Sequence, residues 1–431
     1  MNNVSARKYL ISNAKTNFMR VGVSSLATLV LTPFIIRNIG LDQYSYVALT
    51  SFFVSFSGFF DLGLSKSLVY LLNTPSVGFE QRNEYLTAQG IIVLSICGLV
   101  LGTGLLAKST GLSILGESLP ITNPHYGMVM VSSFLVLVFT IFDQYQCAVL
   151  ESFFLLQHVN HGVTIKVMTL NVLYVLNLFT WNSVSFYVFS SVISILFSVI
   201  YHAYIIHIHV YWEIKRPSKK TLHELCVQTF HFFRFSLLTS LYNSLPRLFM
   251  IYVGKDLSYI GVLDVVEKLS LSVINFCSSI LRPLFSLTRN APNKIARQLG
   301  KVMIANGGIG FLFIIVVVMF KSTITNYFFS HTIMDTAFIG QILILYSIGS
   351  CFLLMSQPLS FYLQGEGKVR QLSAAFLLNI VLFCMFYIVM KQGFHADTLL
   401  SLAVCNLVVS GINMISLIVL AQKSRLFRLK K

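Results

Sequence analysis

Long apolar stretches alternate with short polar segments along nearly the whole chain. About twelve stretches have 17–25 residues, which is enough for an α-helix to cross a bilayer core. Two longer polar segments, Lys66–Thr87 and His207–His231, are predicted to be loops. The pattern predicts an all-α membrane protein with spans near Asn17–Ile36, Tyr44–Leu64, Ala88–Ala107, Gly127–Val149, Val163–Thr180, Ser183–Ile206, Phe232–Val253, Tyr259–Leu281, Val302–Phe320, Phe338–Phe361, Leu372–Met390 and Thr398–Leu420.

Composition fits this class. Of the 431 residues, 55% are hydrophobic and 11% charged, whereas soluble domains carry about 25% charged residues. The net charge of +16 could suggest a nucleic-acid partner, but no soluble domain is predicted that would present a basic face. Lys and Arg outside the spans number 21 on one predicted side of the membrane and 5 on the other. By the positive-inside rule, this asymmetry predicts that both termini are cytoplasmic.

A weak internal repeat organises the spans. A shift of 214 residues aligns Arg20 with Arg234 at equivalent places in the two halves. Six spans per half is an even number, so both halves enter the membrane from the same side. This predicts two pseudo-symmetric six-helix bundles, residues 1–210 and 211–431, around a central cleft.

The hairpin Phe230–Phe285 carries charges where its apolar spans should cross the membrane, among them Arg247 and Lys268. Each mid-membrane charge costs about 2.5–3.5 kcal/mol on insertion scales, unless it faces a polar cavity or has a partner. We therefore expect this hairpin to form one wall of a cationic, water-filled pathway.

Three motifs then suggest a family. The first two spans are joined by Arg37-Asn-Ile-Gly40-Leu-Asp-Gln-Tyr44-Ser, the second ends in Phe60-Asp61-Leu62-Gly63-Leu64, and the tenth in Pro358-Leu-Ser-Phe-Tyr-Leu-Gln-Gly365-Glu-Gly-Lys368. Their order resembles the "R-x-x-G-x-x-x-Y-(G/S) … D-x-G-L" opening and "P…G-x-x-R/K" exit of polysaccharide exporters in the multidrug/oligosaccharidyl-lipid/polysaccharide exporter superfamily. Ser45 stands where many members have Gly. The chain looks most like the O-antigen flippases of the Wzx type.

The resemblance implies a non-enzymatic flippase of the bacterial inner membrane. It would move undecaprenyl-pyrophosphate-linked oligosaccharide, an O-antigen repeat unit, from the cytoplasmic to the periplasmic leaflet by alternating access. A polysaccharide polymerase and a chain-length regulator would be possible partners, beside the lipid bilayer. The sequence has no nucleotide-binding motif and no metal-ligand spacing among its seven cysteines, so no cofactor, metal or nucleic acid is expected.

The candidate substrate-binding residues are the cations in or near the spans, because arginine and lysine suit a pyrophosphate. For Arg20, Arg234 and Arg247, the alternative is that the side chain extends to the lipid headgroups. For Lys268, the alternative is an ion pair with Asp264 four residues earlier. The set is Arg20, Arg234, Arg247 and Lys268.

The candidate gating or coupling residues are four carboxylates, with helix-end or structural charges as the alternative: Asp61, Asp143, Asp264 and Glu267. The histidines around the second long loop, His202 among them, are expected to be solvated. Two other functions stay open. A drug/cation antiporter of the same superfamily would favour acidic residues in its lumen, and a glycan polymerase or ligase would need a larger outer loop.

Overall fold

A computed structural model describes residues 21–22, 27, 30–74, 77–110, 126–180, 183–253, 257–281, 292–330, 335–394 and 397–423. Arg20, the repeat partner of Arg234, lies outside these residues. The described residues form helices and connecting turns, with no strand among them. The predicted all-α class is confirmed for this part of the chain.

The helices are named in chain order. A π-helical turn, Val389–Gly393, extends the twelfth helix. The bounds are α1 Val30–Ile39, α2 Leu41–Phe60, α3 Leu64–Leu72, α4 Phe79–Thr110, α5 Tyr126–Ser152, α6 Leu156–Phe179, α7 Val184–His209, α8 Lys219–Val253, α9 Leu257–Leu281, α10 Pro292–Phe329, α11 Thr336–Gly365, α12 Val369–Ile388 and α13 Thr398–Lys423.

The chain divides into two compact units. One comprises residues 1–27 and 42–244, and the other residues 28–41 and 245–431. Backbone compactness is a different criterion from a boundary between transmembrane bundles, so the division at residue 210 stays a prediction.

Eight of the described helices are long and apolar enough to cross a membrane, namely α4, α5, α6, α7, α10, α11, α12 and α13. Each overlaps one of the predicted spans. The chain is therefore a multi-pass membrane protein, and the total of about twelve spans stays a prediction.

Several helices begin earlier than the apolar windows suggested. Helix α4 begins at Phe79, α8 at Lys219 and α10 at Pro292, because a helix continues into polar residues that lower the hydropathy of a window. Both predicted loops were wrong, since each is largely helical. The first contains most of α3 and the start of α4, and the second contains the start of α8. Lys166, which the charge count places at the cytoplasmic end of a span, lies in the third turn of α6.

The second predicted span, Tyr44–Leu64, ends sooner than its hydropathy indicated. Helix α2 stops at Phe60, and Leu62 and Gly63 both take positive φ, 51° and 74°. The chain then restarts as α3, whose buried and partly exposed residues alternate with helical period. The corner at Asp61–Gly63 turns the chain between two helices.

Gly63 has a second reason to lack a side chain. A Cβ at this position would lie 2.4 Å from the carbonyl carbon of Phe232 and 2.5 Å from the amide nitrogen of Phe233. The start of α3 therefore touches the backbone of α8 directly, and this contact belongs to the first unit. Beside it, the hydroxyl oxygens of Ser67 and Thr229 are 3.0 Å apart.

Residues 210–218, here called the connector, join α7 to α8 and lie along the first turns of α4. The backbone N–H of Ser218 donates to Glu84 at 3.0 Å, and Lys215 Nζ donates to Glu80 at 2.9 Å. The connector is thus bound through polar contacts to a helix more than 120 residues earlier in the chain.

Helix α8 prolongs this contact in its first turns. Thr221 Oγ1 donates to Glu84 at 2.5 Å, and Gln81 Nε2 donates to Glu224 at 3.1 Å. Tyr85 also donates its hydroxyl proton to Glu224. Glu84 therefore accepts hydrogen bonds from both the connector and α8.

Candidate functional site

Helices α8 and α9 carry a cluster of four charged side chains in the second unit. Arg247 Nε donates to Glu267 Oε2 at 2.7 Å, and Arg247 Nη2 lies 3.2 Å from Asp264 Oδ1. The other oxygen of Asp264 lies 2.6 Å from Lys268 Nζ. Asp264 thus bridges the two cations, and Arg247 bridges the two carboxylates.

The spacing along α9 explains how three of these side chains meet. Asp264, Glu267 and Lys268 are three and four residues apart, so they project from one side of the helix. Arg247 comes from α8 directly after Pro246, which lies inside that helix. A proline has no N–H to donate to the preceding turn and so locally loosens the helix.

Burial makes the cluster energetically significant. The side chain of Asp264 is 1% exposed and that of Arg247 10%, whereas Lys268 is 32% exposed. Removing one partner of a buried pair costs about 3–5 kcal/mol, because an uncompensated charge stays behind. Lys268 is the member most open to its surroundings.

The predicted pair of cations, Arg247 and Lys268, is therefore brought together around one carboxylate. The Asp264–Lys268 contact is the ion pair that the i, i+4 spacing offered as the alternative for Lys268. Glu267 finds its partner on the neighbouring helix. An anionic ligand would have to compete with Asp264 and Glu267 for both cations, and the substrate-binding roles stay predictions.

Arg234, the other described member of the cationic set, is exposed in the first unit. Its guanidinium carbon lies 4.3 Å above the centre of the Phe230 ring, a cation–π contact one turn back along α8. Lys66 makes a similar contact with Phe235 at 4.4 Å. Each of these two cations therefore lies over an aromatic ring of α8.

Asp61 is placed where it can order the corner before α3. It accepts hydrogen bonds from the backbone N–H of Ser65 at 3.2 Å and from the Ser65 hydroxyl at 2.5 Å. A carboxylate that accepts hydrogen bonds from the first turn of a helix stabilises the helix N-terminus. The D-x-G-L motif thus has a local structural reason in this chain, and gating by Asp61 stays a prediction.

Asp143 contacts His202, one of the histidines that were expected to be solvated. Asp143 Oδ1 accepts from Ser198 Oγ at 3.0 Å and from His202 Nδ1 at 2.8 Å. His202 is completely buried within α7, so the expectation that it is solvated was wrong. His202 falls inside the predicted span Ser183–Ile206, and it was wrongly grouped with the histidines of the segment that follows this span.

The comparison with solved structures gives high similarity at low identity. A MATE transporter in complex with MaD3S aligns with a TM-score of 0.73 and 13% identity over 98% of this chain and 96% of that one. The chain has the fold of the MOP-superfamily transporters. The lipid II flippase MurJ, in an inward closed conformation, aligns with a TM-score of 0.69 and 13% identity over 94% of this chain and 87% of that one.

A third neighbour is a MOP-superfamily transporter from Pyrococcus furiosus, described as having a binding pocket of reverse polarity that suggests a different function. It aligns with a TM-score of 0.69 and 13% identity over 98% of this chain and 96% of that one. No protein-family model matches the chain, and no curated protein matches it. At these identities the likeness establishes the fold alone.

Proposed function

We propose that the chain is a flippase for lipid-linked oligosaccharide. The observation that carries the proposal is the placement of Arg247 and Lys268, two cations within 3.2 Å of the same buried carboxylate, on adjoining helices of a transporter fold. A lipid II flippase with the same fold offers a precedent for this class of substrate. The transporter of reverse pocket polarity offers a precedent for divergence within the fold.

The finer proposal follows the resemblance. The substrate is an undecaprenyl-pyrophosphate-linked O-antigen unit, moved from the cytoplasmic to the periplasmic leaflet of the bacterial inner membrane. The helices form two six-helix bundles around a cationic cleft, and both termini are cytoplasmic. A polysaccharide polymerase and a chain-length regulator act on the product.

In the proposed mechanism, the pyrophosphate replaces carboxylate partners of the cluster. Arg247 offers a planar fork that suits two phosphate oxygens at once. Lys268 is partly exposed and makes the first contact with the pyrophosphate. Arg247 then binds the pyrophosphate after its hydrogen bond to Glu267 breaks. Binding by exchange keeps each cation paired throughout, which avoids the cost of an isolated buried charge.

The test separates binding from folding with a charge-balanced pair of variants. Arg247→Gln should reduce both the amount of protein in the membrane and export, because it removes the cation that is paired with the buried Glu267. The double variant Arg247→Gln, Glu267→Gln should recover the membrane level without recovering export. The measurement is surface glycan per unit of membrane-inserted protein, in cells that lack their own flippase. Normal export by the double variant would reduce the cluster to a structural role.

Arg37→Gln serves as a matched control. Arg37 also belongs to the second unit. Unlike Arg247, it is exposed and donates a hydrogen bond to the backbone carbonyl of Tyr327 at 3.2 Å. Its substitution should leave export within about twofold of the wild type, because exposed contacts of this kind contribute about 0–1 kcal/mol.

A cation exporter is the second candidate, because Asp264 and Glu267 place two buried carboxylates in the same cluster. This candidate predicts resistance to cationic drugs that is lost in Glu267→Gln and independent of glycan synthesis. Resistance of that kind, together with normal surface glycan in Arg247→Gln, would favour the exporter over the flippase.

A further inference from the structure

Three side chains with metal-binding atoms meet inside the first unit, away from the ion-pair cluster. They are Asp143 and Cys147 of α5 and His202 of α7, and all three are buried. Asp143 Oδ1, Cys147 Sγ and His202 Nδ1 lie within 4.8 Å of one another. Nδ1 is 2.8 Å from the carboxylate oxygen and 3.8 Å from the sulfur.

The helices bring these atoms together by simple geometry. Asp143 and Cys147 are four residues apart, so they share a face of α5. His202 reaches them from α7, and Ser198, one turn earlier on that helix, donates to Asp143. Because Asp143 and His202 are 59 residues apart in sequence, no local spacing motif reveals the group.

Glycine on a third helix leaves room for the imidazole. A Cβ on Gly162 of α6 would lie 2.0 Å from His202 Nε2. The ring is therefore held edge-on against the backbone of α6, with Nδ1 directed at Asp143 and Cys147. This orientation places one ring nitrogen within 4.8 Å of both the thiol sulfur and the carboxylate oxygen.

We propose that Asp143, Cys147 and His202 bind a transition-metal ion of the Zn²⁺ class. Zinc takes nitrogen, sulfur and carboxylate ligands at about 2.0–2.3 Å, and sites with three protein ligands leave a fourth position for water. Tetrahedral ligands at these bond lengths are roughly 3.3–3.6 Å apart. The sulfur–nitrogen pair, at 3.8 Å, is already near that spacing, and metal binding would require the Asp143 carboxylate to rotate so that the oxygen–nitrogen distance lengthens from 2.8 Å.

The donor set selects the class of ion. A thiolate and an imidazole favour zinc and other borderline or soft ions, whereas Na⁺, Mg²⁺ and Ca²⁺ prefer oxygen ligands. Metal binding deprotonates the thiol, so Asp143 and Cys147 together balance the two charges of the ion.

Lys166 of α6 is the nearby cation that opposes the metal. Lys166 interacts electrostatically with both Asp143 and Cys147. Its ammonium would repel the divalent ion. Loss of this charge should tighten the site, and Lys166→Met therefore tests the sign of the interaction.

The experiment is a Co²⁺ titration of the purified full-length protein in detergent, after removal of metal with a chelator. The wild type should develop a sulfur-to-cobalt charge-transfer band with one equivalent of Co²⁺, and Zn²⁺ should abolish it. Cys147→Ser should lose the band. Cys226→Ser should retain it, because Cys226 is exposed on α8. Lys166→Met should saturate at a lower Co²⁺ concentration.

A second measurement covers variants that fold poorly. Zn²⁺ should raise the unfolding temperature of the wild type and of Cys226→Ser, but not that of Cys147→Ser or Asp143→Asn, since an ion that binds only the folded state stabilises it. A wild type without a charge-transfer band would overturn the proposal and leave a hydrogen-bonded Asp143–His202 pair. A band that survives in Cys147→Ser would overturn it as well.

Discussion

Gly63→Ala should destabilise the protein through two separate effects. Gly63 has φ +74°, a left-handed conformation that costs a residue with a Cβ about 1–2 kcal/mol. The new methyl would also lie 2.4 Å from the backbone carbon of Phe232, and forcing atoms into a packed contact typically costs about 1–3 kcal/mol. The expected total is about 2–5 kcal/mol.

Two other glycines separate these effects. Gly40 also has a positive φ, +82°, but nothing lies within 4 Å of the position that a Cβ would take, so Gly40→Ala should lose only about 1–2 kcal/mol. Gly98 lies within α4 with open space around it, and Gly98→Ala should be neutral or stabilising by up to about 1 kcal/mol.

The assay is thermal unfolding of the three variants in detergent, followed by intrinsic fluorescence and by the retained monodisperse fraction after heating. The expected order of stability is Gly98→Ala, then Gly40→Ala, then Gly63→Ala. A rank order does not need reversible unfolding, which membrane proteins seldom show. If Gly63→Ala unfolds no earlier than Gly40→Ala, the direct contact between α3 and the α8 backbone does not exist.

Three further predictions follow from other contacts. Glu84→Gln should lower the unfolding temperature more than Glu80→Gln. Glu84 accepts hydrogen bonds from both the connector and α8, whereas Glu80 is exposed and accepts one hydrogen bond, from Lys215; equal shifts measured by the same assay would contradict this. Gly162→Ala should sharply reduce the amount of protein in the membrane, because its methyl would lie 2.0 Å from the Nε2 nitrogen of His202. Immunoblotting of membranes measures this amount, and a wild-type amount would contradict the close packing of α6 against His202. Reporter fusions after Lys108 and Lys431 should report opposite sides of the membrane, and identical sides would break the twelve-span topology.

The sequence predicted those elements whose signal is local. Eight apolar windows correspond to helices of the structure because about 20 consecutive apolar residues suffice to mark a span. The Asp264–Lys268 contact was foreseeable from its i, i+4 spacing. Helix α3 escaped prediction because nine residues of mixed polarity have no membrane signature, and Asp61 and Gly63 mark its start only through turn chemistry.

Contacts between distant residues could not be predicted in this way. The Arg247–Glu267 hydrogen bond depends on the rotation of α8 against α9, which hydropathy does not determine. The Asp143–His202 contact depends on α5 packing against α7, with a glycine on α6 leaving the space. In both cases the residue types were visible, but their partners required the packed helices.

The connector gives the biosynthesis of this protein a built-in delay. Its polar contacts and those of early α8 join residues 125–143 positions apart, so at about 5–20 residues per second the ribosome supplies the second partner roughly 6–30 s after the first. Until then, Glu84 lacks the donors Ser218 and Thr221, and Tyr85 lacks the acceptor Glu224. A fragment that stops at residue 210 would keep them in that state, so the first half matures only when the beginning of α8 has left the ribosome.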